Sequence, residues 1–196
     1  MKRKRTIFFL TAGVLCIAAA LSLTLYNVWD EQRAEVTVAE SVTLVEQNIQ
    51  VQPEEQQLIV PESKLTMDSV AVDGNNYVGV LEIPAVNLKL PVLKDWSESL
   101  LRLAPCLYEG NLYDGMIVAG HNYRSHFGPI TRLVPGDVIH FTDVDGNVWT
   151  YTVVTTEIIA GSDVEGMEAG NWDLTLFTCT FGGQERFTVR CTMEVL

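Results

Sequence analysis

The chain has 196 residues, 47% hydrophobic and 19% charged, with a formal net charge of −12. That is material for one domain of ordinary size plus appendages, with enough apolar residues to exclude a chain disordered over most of its length. Lys2, Arg3, Lys4 and Arg5 hold four of the 13 basic residues, so the remainder sets 9 bases against 25 acids, a net of −16. Such a body repels phosphate backbones and argues against nucleic acid as a partner.

Residues 1–5 form a basic segment, and the run from Thr6 to Val28 carries no charge. A helix of that length rises about 34 Å at roughly 1.5 Å per residue, enough to cross a bilayer core. The pattern predicts a single transmembrane signal-anchor helix over 6–28, its basic end cytoplasmic and everything after Asp30 outside the cell. A cleaved signal peptide is the rival reading, since Ala18-Ala19-Ala20 offers small residues for a cut. The apolar run continues past them through Leu21, Leu23 and Leu25, which favours a retained anchor in the cell membrane. Residues 29–72 read as an extracellular stalk. Ala34 to Ser63 contains no Lys or Arg, Pro53 and Pro61 punctuate it, and its β-branched residues weaken a helical reading, so an extended or partly helical spacer is expected.

A folded domain is predicted over 73–196. Strand signals separated by turn residues cover 77–83, 86–93 with Pro91 marking an edge or a break, 115–120, 137–142, 147–160, 173–179 and 186–195. A short helix capped by Ser97 is predicted over 97–103. Asp143-Val144-Asp145-Gly146 makes a hairpin turn. This many strands in about 120 residues argue for a mainly β domain, a closed barrel or a sandwich.

Four cysteines occur, and Cys16 lies in the anchor. Cys106, Cys179 and Cys191 remain outside, an odd number in a compartment that permits disulfides, so at least one is a free thiol or lies in an intermolecular bond. Cys106 and Cys191 read as small hydrophobes. In Leu174-Thr175-Leu176-Phe177-Thr178-Cys179, alternation puts Leu174, Leu176 and Thr178 on one face and Thr175, Phe177 and Cys179 on the other. Gly182-Gly183 is a turn, and the next strand opens at Arg186, with Arg190 on the same face. A hairpin of this kind brings the thiol and a guanidinium to one end of a sheet, where the cation favours thiolate and stabilises a developing oxyanion. The chain has three histidines. His140 reads as a strand residue and His126 as a loop or surface residue. His121 follows the apolar run 116–119 at a strand end, where a rigid scaffold projects side chains.

These residues carry a family resemblance. Thr175-Leu176-Phe177-Thr178-Cys179 resembles the sortase signature Thr-Leu-x-Thr-Cys, and Ile117-Val118-Ala119-Gly120-His121-Asn122 resembles the segment around the sortase histidine. Arg186, opening an apolar strand soon after the cysteine, resembles the sortase arginine. Three motifs in this order, from about Tyr77 to the C-terminus of an anchored chain, make a specific signal. The resemblance implies a closed sortase-type β-barrel with one or two short helices. It implies a cysteine transpeptidase in which Cys179 attacks the carbonyl of a sorting motif, typically at a Thr-Gly bond. His121 would act as general acid and base, and Arg186 would hold substrate and oxyanion. Thr178 and Asn122, beside the nucleophile and the base, would contact substrate. The implied partners are sorting-signal peptides of surface proteins and an amine acceptor, a cell-wall peptide or a pilin lysine. No cofactor is implied. A thiol with pKa ~8.5 is only about 3% thiolate at pH 7, so the resting site holds mostly a neutral thiol and a neutral imidazole unless its surroundings shift them.

Arg190 competes with Arg186 for the arginine role, since both lie on one strand face. Another extracytoplasmic cysteine hydrolase is the first alternative. The Ser-His-Gly-Cys run of an L,D-transpeptidase is absent, and Gly182-Gly183 favours a turn over the helix that follows a papain-like cysteine. A non-catalytic surface β-barrel is the second. His121 and His126 are five apart and no Cys-x-x-Cys occurs, so no metal site is expected.

Overall fold

Helix α1 runs unbroken from Lys2 to Asn48 in a computed structural model of the chain, which describes residues 2–49 and 67–194. The chain divides into two units, one ending at Arg33 and one starting at Ala34. The helix carries a stretch with a mean hydropathy of 2.0, long and apolar enough to cross a membrane. The second unit takes in the last turns of α1. Ala34, Val38, Val42 and Val45, spaced at helical intervals of four and three, are buried and form one apolar stripe. Val38 and Val42 join the barrel's main core, and Val45 packs with Tyr77, Val80 and Leu93. Glu46 pairs with Lys89 at 2.6 Å, and the Tyr77 hydroxyl lies 3.4 Å from Ser41 Oγ. The spacer expected over 29–72 to be extended or partly helical is thus helical as far as Asn48, because tertiary burial outweighs the weak helix propensity of its β-branched residues. Packing starts well before the boundary expected at 73. The part of that stalk over 50–66 lies outside the described residues.

The strands are β1 (Val70–Val72), β2 (Asn75–Ile83), β3 (Leu88–Leu93), β4 (Cys106–Glu109), β5 (Met116–Gly120), β6 (Val138–Asp143), β7 (Val148–Ala160), β8 (Leu174–Cys179) and β9 (Glu185–Met193). A five-residue helix, α2 (Val164–Glu168), joins β7 to β8. The sheet order is β1-β2-β3-β4-β5-β8-β9-β7-β6, and β6 pairs back onto β2. That pairing closes strands β2 to β9 into a barrel, excludes the sandwich, and leaves β1 as an appended ribbon. Met116, Val118, Leu174, Leu176 and Val189 point into the main core. Their strand neighbours Ile117, Ala119 and Phe177 pack in two smaller clusters on the other face, as a period of two requires.

Several local expectations meet their physical reasons. Pro91 lies in β3, which touches β4 only through Leu93 and Cys106, so a residue without an N–H meets an open strand edge. Ser97 caps a turn, its Oγ accepting from the Leu100 N–H at 3.1 Å. The segment after it is a run of turns and not the helix expected over 97–103. Strand β4 carried no sequence signal, being four residues long with a register shift opposite β5. Asp143 organises its hairpin from a buried position, accepting from the N–H groups of Asp145 and Asn147 and from the Trp149 indole.

Candidate active site

The register of three strands aligns the chemistry-bearing residues. β5 and β8 run parallel, with Ala119 beside Phe177 and Gly120 beside Thr178. His121 follows directly on the end of β5 and Cys179 on Thr178 in β8, so both lie at the same end of the pair. β8 and β9 run antiparallel, and Cys179 pairs directly with Arg186. His121, Cys179 and Arg186 therefore form one row at the same end of the neighbouring strands β5, β8 and β9, His121 just past the end of β5 and the thiol's strand in the middle. All three line a single cleft of about 280 Å³.

The cleft has an aromatic side. Trp96, from the β3–β4 crossover, meets Tyr108 edge-on at 5.8 Å, and Tyr108 meets Phe177 edge-on at 5.4 Å. Tyr108 and Phe177 pack against Ile117, Ile159 and Met167, so the floor is apolar. Ala160, Gly161, Asp163 and Val164 also line it. Nothing in the sequence singled out Trp96 or Tyr108, because their partners come from other strands.

Each member of the row is positioned differently. Cys179 ends β8, half-buried. Arg186 Nη1 donates to the carbonyls of Gly183 at 2.9 Å and Glu185 at 3.1 Å, so its guanidinium is held by its own hairpin. Gly161 leaves room for it. A Cβ there would lie 3.0 Å from Arg186 Nη1 and 2.7 Å from the Gln184 carbonyl. His121 stacks on Tyr123 with ring centroids 4.8 Å apart. The loop after it folds back, the Phe127 N–H donating to the His121 carbonyl at 2.9 Å. Gly120 permits this, since a Cβ there would sit 2.4 Å from the Phe127 ring.

That fold-back buries His126, read from sequence as a loop or surface residue, so that it is a loop residue but not a surface one. It is 0% exposed, and neither ring nitrogen has a hydrogen-bond partner among the described residues. Burial, with a smaller contribution from the neighbouring His121, pushes its pKa down to about 4, so it is neutral at physiological pH. Thr178 shares the core face of β8 and is 1% exposed. Its side chain points away from Cys179, while Asn122 is exposed beside His121. Arg190 does not join the row. It is 2% exposed and engaged with Glu157 and with the carbonyls of α2.

Cys106 and Cys191 are buried free thiols, each pushed up to about 12 by burial, and so are inert. Beyond Met167 lies a second cleft of about 420 Å³. At its edge Glu109 repels the carboxylate of Glu168 and raises its pKa. Among the described residues no cluster of His, Cys, Asp and Glu is arranged to hold a metal ion.

Residues 81–194 match the family model of the sortase domain. The chain is 30% identical over 126 residues to sortase A of Listeria monocytogenes, covering 58% of this chain and 56% of that relative's length. Its fold is similar to the crystal structure of sortase C1 from Streptococcus agalactiae, with a TM-score of 0.56 and 26% identity over 64% of this chain and 72% of the other. It is also similar in fold to Clostridium perfringens sortase C solved with the C-terminal cell wall sorting motif, with a TM-score of 0.56 and 21% identity over 87% and 90% of the two chains. The match covers more than half of the chain and includes every strand of the row that carries His121, Cys179 and Arg186; the chain belongs to the sortase family.

Proposed function

We propose that this chain is a cysteine transpeptidase that cleaves a sorting signal and transfers the acyl fragment to an amine. The observation that carries the reading is the single row His121–Cys179–Arg186, opening on a cleft with an apolar floor. Cys179 gives its proton to His121 and attacks the carbonyl before the scissile bond, and a tetrahedral intermediate forms. Arg186 is the fixed cation for the oxyanion, since a guanidinium holds its charge without proton transfer. His121 then protonates the leaving amine, and a thioester on Cys179 remains. An incoming amine, deprotonated by His121, attacks the thioester and releases the thiol. Asn122 contacts the peptide from the rim, and Thr178 supports Cys179 from the core side of β8.

The donor is the sorting-signal peptide of a surface protein, and the acceptor is a cell-wall peptide amine or a pilin lysine. α1 anchors the chain in the cell membrane with the barrel outside. The test is a library of Thr-Gly peptides offered to the full chain in detergent micelles, with triglycine or lysine as acceptor. Amide exchange is expected, with a covalent adduct on Cys179 detectable by mass spectrometry. Cys179→Ala is expected to lose at least about 10³-fold in turnover. Equal turnover by that variant sinks the reading, and cleavage without amide exchange makes the chain a hydrolase.

A further inference from the structure

Arg190 is the largest fully buried side chain in the barrel unit, and the chemistry above does not use it. It lies on the same face of β9 as Arg186, four residues on, yet it makes a different set of bonds. Its Nε is 2.7 Å from Glu157 Oε1, on β7. Its Nη1 donates to the Met167 carbonyl at 2.6 Å and to Thr175 Oγ1, on β8, at 3.0 Å. Its Nη2 donates to the Gly166 carbonyl at 2.7 Å. One guanidinium thus ties β7, β8 and α2 together.

A five-residue helix cannot hold itself, because nucleation costs more than one turn of hydrogen bonds returns. Its final carbonyls have no intrahelical partner. The planar fork of an arginine fits two adjacent carbonyls, and a lysine ammonium cannot reproduce that geometry. Glu157 balances the charge that this position takes out of water. At the other end Asp163 caps α2, accepting from the Gly166 N–H at 2.9 Å. The segment so fixed places Asp163 and Val164 on one side of the cleft and Met167 in its floor against Ile117 and Ile159.

We propose that Arg190 is a positioning residue that holds α2 as the wall of the peptide groove, so that it governs binding of the donor peptide and leaves the chemical step alone. The inference rests on the transpeptidase reading for its kinetic readout and on α2 itself for its structural one. The experiment uses the full chain in detergent micelles, with a quenched fluorogenic Thr-Gly peptide as donor and triglycine as acceptor. For Arg190→Met, KM is expected to rise by about tenfold or more while kcat stays within about twofold. Alkylation of Cys179 by iodoacetamide stays within about twofold, because the thiol and its row are untouched. Amide exchange at Gly166 and Met167 loses its protection.

Arg190→Lys keeps the charge beside Glu157 and loses the fork, and it covers the case in which the methionine variant fails to fold. It is expected to show the same raised KM and loss of protection. Wild-type KM and wild-type protection in Arg190→Lys overturn the proposal, as does a fall in kcat with KM unchanged in either variant. If the wild type turns over no peptide, the functional reading fails, and the amide protection of α2 still decides whether Arg190 holds it.

Discussion

Arg186 and Arg190 are the same residue type on the same strand, on the same face, two pleats apart. One opens on a cleft beside Cys179 and leans on the carbonyls of Gly183 and Glu185. The other is sealed under α2 with Glu157, Thr175 and two helix carbonyls around it. Strand alternation gives a side chain its face but not its neighbours. What separates the two arginines is the row each occupies, His121–Cys179–Arg186 against Ile117–Thr175–Arg190. The first row lines the smaller cleft with a half-buried thiol and guanidinium, and the second lies buried at the larger cleft, its guanidinium bonded to the carbonyls of α2.

The contrast breaks most visibly at Arg186. Arg186→Gln removes the fixed cation from the row while its replacement stays at a half-exposed hairpin end. Turnover of a donor peptide is expected to fall by about 10²–10³-fold, the range for losing an oxyanion donor. The melting temperature should hold within a few degrees, since the lost partners are carbonyls that water can reach. Peptide turnover and thermal unfolding measured on one sample check both halves. A large loss of stability with turnover intact would exchange the roles of the two arginines.

Strand alternation could not make that separation, and only the family resemblance, with Arg186 at the strand's opening, favoured Arg186 over Arg190. Leu174 to Cys179 and the run from Met116 to Gly120 were legible because period-two alternation and turn residues are local signals, and they led to a barrel strand pair that the structure contains. Arg190 was ambiguous because everything that defines it comes from elsewhere in the chain, Glu157 from 33 residues away and Met167 from 23. The same applies to residues 34–48. Their valines weakened a helical reading without excluding it, and the barrel surface they cover explains why they form one. β4 was missed because four residues with a register shift carry no readable period.

Two histidines of one loop repeat the contrast and sharpen it. His121 lines the cleft, and His126, five residues on, is sealed behind Tyr123, whose ring lies 5.3 Å away. The buried imidazole takes up a proton only near pH 4, against 6.5 for the unshifted group. Between those values the unfolded chain binds the proton and the folded one does not, so folding stability falls as the pH falls through that window. The loss should total about 3 kcal/mol by pH 4, with no further change below it and none above about pH 6.5. His126→Phe removes the titrating group and two buried ring nitrogens without partners. Urea unfolding of both proteins across pH 4–7 is expected to give a difference that carries this slope. Parallel curves would mean that His126 is solvated in the folded state.

The smallest expected effect tests how finely the open row is set. Gly161 has no left-handed backbone to accommodate, so alanine there costs nothing conformationally. Its methyl would instead lie 2.7 Å from the Gln184 carbonyl, 3.0 Å from Arg186 Nη1 and 3.3 Å from its Cζ. The Gly161 N–H also donates to that Gln184 carbonyl at 2.8 Å, so the hairpin tip cannot withdraw without weakening the link between β7 and the turn. The strain is relieved most cheaply by the guanidinium, which shifts off the row by a few tenths of an ångström. A displaced oxyanion donor is weakened and not lost, so kcat for Gly161→Ala is expected to fall by about tenfold, less than for Arg186→Gln. KM should change little, because α2 and the aromatic side of the cleft stay where they are, and that separates this lesion from one at Arg190. An unchanged kcat would show that Arg186 acts from a rotamer other than the one resting on Gly183 and Glu185, and the tether seen here would then be a parked position which the substrate must release.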